Sequence, residues 1–221
     1  TRWSDAVTTL TTPGGTSVGS AGRMKKLMPL LIPEQPCIVV LSAMSGRTNA
    51  LVEIANALYE KANDKAAPRI ATLRTRYDEV VNELFDNSAI RDKGKQLVEN
   101  HFEYLVSFTQ DSFTANEEKA ILAQGELLST ALVHYYLEEQ GIPSVLLPAL
   151  NFMRLDENEE PDEPYIATHL QKELSQYPGK KLFITQGYIC RNSFGEIDNL
   201  KRGGSDYTAT LVGAAIRAEE V

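Results

Sequence analysis

Short apolar runs alternate along this chain with longer stretches of helical periodicity. The run Cys37-Ile-Val-Val-Leu-Ser42 is β-branched, follows Pro36 and precedes a glycine-containing segment, the pattern of a parallel strand buried on both faces. Residues 144–149 and 181–186 read alike, each followed by a loop of polar residues or glycine, and 6–12 reads as a more weakly patterned first strand. Between them the apolar period becomes helical: Met24, Leu27, Met28 and Leu31 mark one face, and Leu51, Ile54, Ala55 and Leu58 another. From 67 to 108, Leu73, Tyr77, Val80, Val81 and Leu84, then Leu97, Val98, Phe102, Leu105 and Val106, predict a helical hairpin turning at 86–93. A helix is expected over 116–139, stopped by Gly141 and Pro143. The last helix is expected to start at the N-cap pair Ser205-Asp206 and to carry Thr208, Leu211, Val212 and Ala215.

Strands alternating with helices predict a mostly parallel sheet covered on both faces, an α/β fold built as a three-layer α/β/α sandwich. In such folds ligands bind beyond the carboxyl ends of the strands, so the chemistry should lie in the loops that follow them. The acidic stretch 156–163 reads as a solvated loop.

Composition narrows the function classes. At 221 residues, 43% of them apolar, the chain can bury a substantial core. The net charge of −8 argues against a broad electrostatic contact with nucleic acid or an anionic membrane, so an anionic small substrate would need a local basic pocket. Cys37 and Cys190 each sit in an apolar run and read as buried thiols rather than a disulfide or a metal site. No stretch approaches the ~20 apolar residues that cross a bilayer. Residues 1–12 also lack the apolar core of a secretion signal, and the chain is expected in the cytoplasm.

Four segments could carry chemistry. Pro13-Gly14-Gly15-Thr16-Ser17-Val18-Gly19-Ser20 lies between a strand and a helix, where free N–H groups suit a phosphate, although it lacks the Gly-Lys-Ser/Thr ending of a P-loop and a simple tight turn fits as well. Ser42-Ala-Met-Ser-Gly-Arg-Thr48-Asn49 follows the strongest strand; Ser45 or Thr48 capping the next helix is the plainer reading. Glu126, in Gln124-Gly-Glu-Leu-Leu-Ser-Thr130, stands among apolar residues, so its carboxylate is either partly buried and in need of a cation or donors, or solvent-facing. In Arg202-Gly-Gly-Ser205-Asp206-Tyr-Thr208 a guanidinium, two glycines and a helix N-terminus converge as an anion site, with Asp206 either capping the helix or orienting a cation. His101, His134 and His169 show no metal or triad spacing.

Taken together, Gly14-Gly-Thr-Ser-Val-Gly-Ser20, Leu41-Ser-Ala-Met-Ser-Gly-Arg-Thr-Asn49, Gln124-Gly-Glu-Leu-Leu-Ser-Thr130, Ile184-Thr-Gln-Gly-Tyr-Ile189 and Arg202-Gly-Gly-Ser-Asp-Tyr-Thr208 resemble aspartate kinases in order and spacing, over about the whole chain after the first ten or so residues. The resemblance implies the amino acid kinase fold, ATP with Mg²⁺, and phosphoryl transfer to the β-carboxylate of L-aspartate, the entry to lysine, threonine and methionine. By that resemblance Gly14, Gly15, Thr16 and Ser17 face the phosphates, with Ser17 and Asp206 as the catalytic pair. Ser42 and Thr48 hold the substrate, Glu126 meets its ammonium, Arg202 its α-carboxylate, and Ser205 completes the pocket. No residue is assigned to a metal. A homo-oligomer is implied for the full-length protein.

The chain departs from the family pattern at Thr12-Pro13, where Lys-Phe is usual and the lysine serves the phosphates, and at Glu196-Ile-Asp-Asn-Leu-Lys201 in place of a Thr-rich version. It is expected to be the N-terminal part of one catalytic domain, with 67–108 as an inserted hairpin. The family's Thr-Asp nucleotide segment and ACT domains would lie past Val221, so the chain as written is expected to be inactive. Two rivals remain: a kinase for another acceptor such as glutamate or acetylglutamate, and a non-catalytic aspartate-binding module.

Overall fold

The computed structural model describes residues 9–11, 13, 17–27, 29, 35–110, 113–200 and 204–218. In chain order they form β1 (Thr9–Thr11), α1 (Ala21–Leu27), β2 (Cys37–Leu41), α2 (Arg47–Tyr59), α3 (Asn63–Leu84), α4 (Ser88–Ser107), α5 (Ala115–Glu139), β3 (Val145–Leu147), α6 (Glu163–Ser175), β4 (Leu182–Gln186), β5 (Ile189–Arg191), β6 (Ile197–Asn199) and α7 (Gly204–Ile216). Strands β1 to β4 make one parallel sheet in the order β1-β2-β4-β3. Strands β5 and β6 form a separate antiparallel ribbon that packs along α5.

The unbroken apolar runs follow from coverage of both sheet faces. Successive side chains of a strand point to opposite sides, and in β2 Cys37, Val39 and Leu41 enter one apolar cluster while Ile38 and Val40 enter a second. In β4, Leu182 and Ile184 join the first and Phe183 the second. Helices α1 to α5 build the first layer and α6 with α7 the second, so the expected three-layer α/β/α sandwich is what forms.

Several boundaries differ from the sequence reading, each for a local reason. The hairpin turn is residues 85–87 and not 86–93, because the Asn87 side chain accepts from the amides of Ala89 and Ile90 and starts α4 at once. The Arg91 guanidinium closes the corner on the Phe85 carbonyl. Helix α5 begins one residue early on a capping box between Thr114 and Glu117, and Gly141 ends it in the left-handed region at φ 70°. Helix α6 was not anticipated. Asp162 caps it and Ile166, Leu170 and Leu174 bury at fourfold spacing, so the acidic stretch is solvated over 157–160 but finishes as a helix start. Met28 and Leu31 lie outside the described residues.

One ion pair ties α5 to the ribbon. Lys119 Nζ lies 2.7 Å from Asp198 Oδ2, and Asp198 is buried. Lys119→Met would leave that carboxylate enclosed without its cation, and urea denaturation should show a loss of roughly 2–4 kcal/mol. An unchanged midpoint would mean that Asp198 finds another donor.

Candidate functional site

The loop after β2, the end of β4, the middle of α5 and the first turn of α7 meet at the carboxyl edge of the sheet. Ser42 follows β2 directly, and its Oγ is 2.6 Å from Ser205 Oγ on α7. The Ser42 carbonyl accepts from Ser129 Oγ of α5 at 2.8 Å. One residue on, the Ala43 amide donates to Glu126 Oε1 at 3.3 Å. Gln186, the last residue of β4, accepts from the Ala149 amide and donates to Thr130 Oγ1. The Tyr188 amide donates to Thr208 Oγ1, tying the strand end to α7.

Glycine makes these approaches possible at two points. A Cβ on Gly125 would stand 2.9 Å from the Ala43 Cβ and 3.3 Å from a Leu51 methyl, so only a bare backbone lets α5 lie against the loop after β2. A Cβ on Gly187 would stand 2.7 Å from the Ser205 Cα, so the end of β4 touches the main chain of α7.

Glu126 is the chemically unusual group. It is 4% exposed, which excludes the solvent-facing reading, and its Oε2 is buried without a hydrogen-bond partner among the described residues. Burial pushes its pKa from 4.5 up to about 7, and the Ala43 amide opposes that rise. A carboxylate in this setting recruits a proton or a cation.

The structure brings Ser42, Glu126 and Ser205 together. Thr48 is exposed in the first turn of α2, whose cap is Gly46 at φ 75° with no side-chain cap bond, so neither Ser45 nor Thr48 caps that helix. Ser205 and Asp206 are not N-caps either: Gly204 opens α7, leaving Ser205 buried in the first turn and Asp206 exposed. Ser17 is exposed in a turn. Gly14, Gly15, Thr16 and Arg202 lie outside the described residues, as does Thr12, whereas Pro13 is buried. The sequence reading missed Gln186, a buried amide on a strand it had identified, and Arg47, half-buried at the start of α2. Polar residues at a strand's carboxyl end were the available signal.

The histidines serve local contacts: His101 bonds Gln124, His134 bonds Ser144, and His169 stacks on Tyr165. Cys37 and Cys190 are buried thiols outside any disulfide, and burial raises the Cys190 thiol pKa to about 12. Among the described residues no group of His, Cys, Asp and Glu is arranged to hold a metal ion, and no helix is long and apolar enough to cross a membrane.

The amino acid kinase family profile matches residues 13–221, and the chain belongs to that family. Lysine-sensitive aspartokinase 3 of Escherichia coli K12 is 31% identical over 218 residues, covering 94% of this chain and 46% of the relative. The aspartokinase of Chlamydia trachomatis is 28% identical over 210 residues with the same two coverages. The crystal structure of E. coli aspartokinase III in complex with aspartate and ADP superposes with a TM-score of 0.82 at 27% identity, covering 96% of this chain and 47% of that one. The chain thus spans about half the length of these relatives.

Proposed function

We propose that this chain carries the amino acid side of an aspartate kinase site, at which the β-carboxylate of L-aspartate takes the terminal phosphoryl group of ATP. The observation that carries this reading is the buried Glu126 carboxylate, one oxygen of which has no partner among the described residues, at the edge of the sheet. An ammonium group supplies the cation and donors this carboxylate needs. Crystals of E. coli aspartokinase III containing aspartate, with lysine or with ADP, support the same choice of ligand.

In the transfer, a β-carboxylate oxygen forms the new bond to the γ-phosphorus, the bond to the bridging oxygen of ADP breaks, and aspartyl phosphate leaves with ADP. No protein nucleophile is required, so the chain's contribution is placement and charge. Glu126 fixes the amino group. Ser42 and Ser205, hydrogen-bonded to each other across β2 and α7, offer hydroxyls to a carboxylate. Thr48 is assigned to the substrate, Arg202 to the α-carboxylate, and Ser17 and Asp206 to the reacting end. Gly14, Gly15 and Thr16 are assigned to the phosphates. Mg²⁺ would enter on the nucleotide and neutralise phosphate charge. The same reading makes 1–221 part of one kinase domain with α3 and α4 as an inserted hairpin. It also makes the full-length protein a cytoplasmic homo-oligomer at the entry to lysine, threonine and methionine synthesis.

Calorimetry with L-aspartate and N-acetyl-L-aspartate tests the reading, because acetylation removes the ammonium and leaves both carboxylates. L-aspartate should bind at least ~100-fold tighter, the scale of a buried charge left unpaired. Equal affinities would overturn it. Assayed alone with ATP, Mg²⁺ and aspartate, the chain should bind the amino acid yet release ADP at background rates, because Thr12-Pro13 stands where the resemblance places Lys-Phe. Robust turnover would contradict that expectation.

A further inference from the structure

Helices α2 and α3 carry a second set of unsatisfied groups. Tyr77 Oη on α3 and Arg47 Nε on α2 are, like Glu126 Oε2, buried without hydrogen-bond partners among the described residues. The guanidinium carbon of Arg47 lies 5.4 Å from the centre of the Tyr77 ring, and Phe102 packs against that ring at 5.8 Å. Leu51, one turn after Arg47 on α2, reaches the position of Gly125, so the helices bearing Arg47 and Glu126 are in contact. Tyr77 is fully buried and feels the charges of both Arg47 and Glu126.

Packing alone gives no reason for a hydroxyl here. Around Tyr77, α3 buries Leu73, Val80, Val81 and Leu84, and a phenylalanine would fill the same space without an unpaired donor. The hydroxyl gains a use where a nearby acceptor becomes charged, and Glu126 is a buried carboxylate whose charge acts on Tyr77 and whose Oε2 is itself unsatisfied among the described residues. We propose that Tyr77 is a positioning residue of the ammonium site: its hydroxyl, on a ring held between Phe102 and Arg47, donates toward Glu126, directly or through one bound water, and stabilises the ionised carboxylate. The inference rests on the reading of Glu126 as the ammonium partner.

The groups that face Glu126 set the expected pH behaviour. They are the Ala43 amide from the loop after β2, Tyr77 from α3, with the Arg47 guanidinium of α2 over its ring, and Tyr188 from the loop after β4. On the flanks, Lys119 of α5 is neutralised by Asp198 and His101 of α4 is bonded to Gln124, while Asp206 on α7 is exposed. With Glu126 titrating near 7 in the free protein, an ammonium ligand must displace its proton at lower pH.

L-aspartate binding by calorimetry from pH 5.5 to 8.5, for the wild-type chain, Tyr77→Phe and Glu126→Gln, tests the inference. Wild-type affinity should be level above about pH 7 and fall roughly tenfold per unit below it. Tyr77→Phe should bind within about threefold of wild type at pH 8.5 but move the midpoint up by about one unit, since the carboxylate loses a donor to its charged form. Its melting temperature should be no lower than that of wild type, which a purely structural role would not give. An unmoved midpoint in Tyr77→Phe beside a pH-dependent wild type would overturn the role of Tyr77 and leave the Glu126 reading standing. Glu126→Gln binding like wild type would overturn both.

Discussion

Glu126→Gln should abolish aspartate binding and, above pH 7, make the protein more stable. Both effects come from the same burial. Removing one partner of an enclosed charge pair costs about 3–5 kcal/mol, so affinity should fall by at least ~100-fold. In the free protein the carboxyl titrates near 7 against 4.5 in an exposed chain. Between those values the folded state holds a proton that the unfolded state has released, so stability falls as pH rises through that window. The penalty is absent below 4.5, complete above about 7, and amounts to about 3 kcal/mol. Glutamine keeps an acceptor for the Ala43 amide and carries no charge. Urea denaturation at pH 8 should therefore favour the variant by most of that amount, with the difference gone near pH 4.5. A variant no more stable than wild type at pH 8 would mean that Glu126 is already paired.

Gly187→Ala should be the most damaging single methyl at the site. The new Cβ would meet the main chain of Ser205, which has no side-chain rotation to escape through. Helix α7 must then move away from the end of β4, which breaks the Ser42–Ser205 hydrogen bond and loosens the Tyr188–Thr208 bond. Overpacking of this kind costs about 1–3 kcal/mol, and aspartate affinity should fall at least ~10-fold beyond what the melting temperature accounts for. Wild-type affinity in a folded variant would show that Ser42 and Ser205 need not be in register for binding.

The sheet was legible because its strands are buried on both sides, which leaves continuous runs such as 37–42 that no amphipathic helix produces. Helix α6 was missed because its acidic start resembles the loop before it, although Ile166, Leu170 and Leu174 carried the periodicity. Around the site, Glu126 was legible as a carboxylate in an apolar setting beside a glycine. The contact that explains Gly125 was not, since Ala43 lies 82 positions away in sequence and offers only a backbone amide and a methyl. Tyr77 fitted the apolar face of a helix and gave no sign that its hydroxyl would be stranded near Glu126. Cap positions failed at α2 and α7 because glycine opens both turns in the left-handed region, at Gly46 and Gly204, and displaces the hydroxyl residues into the helix.

The Glu126 carboxyl, protonated in the free protein below about pH 7, becomes a carboxylate when it receives an amino group. Titrating L-aspartate into the chain at pH 6, in buffers of different ionisation enthalpy, counts the protons exchanged on binding. L-aspartate should release close to one proton at pH 6 and none at pH 8.5, and N-acetyl-L-aspartate none at either pH. L-aspartate binding at pH 6 without proton release would contradict this ionisation of Glu126.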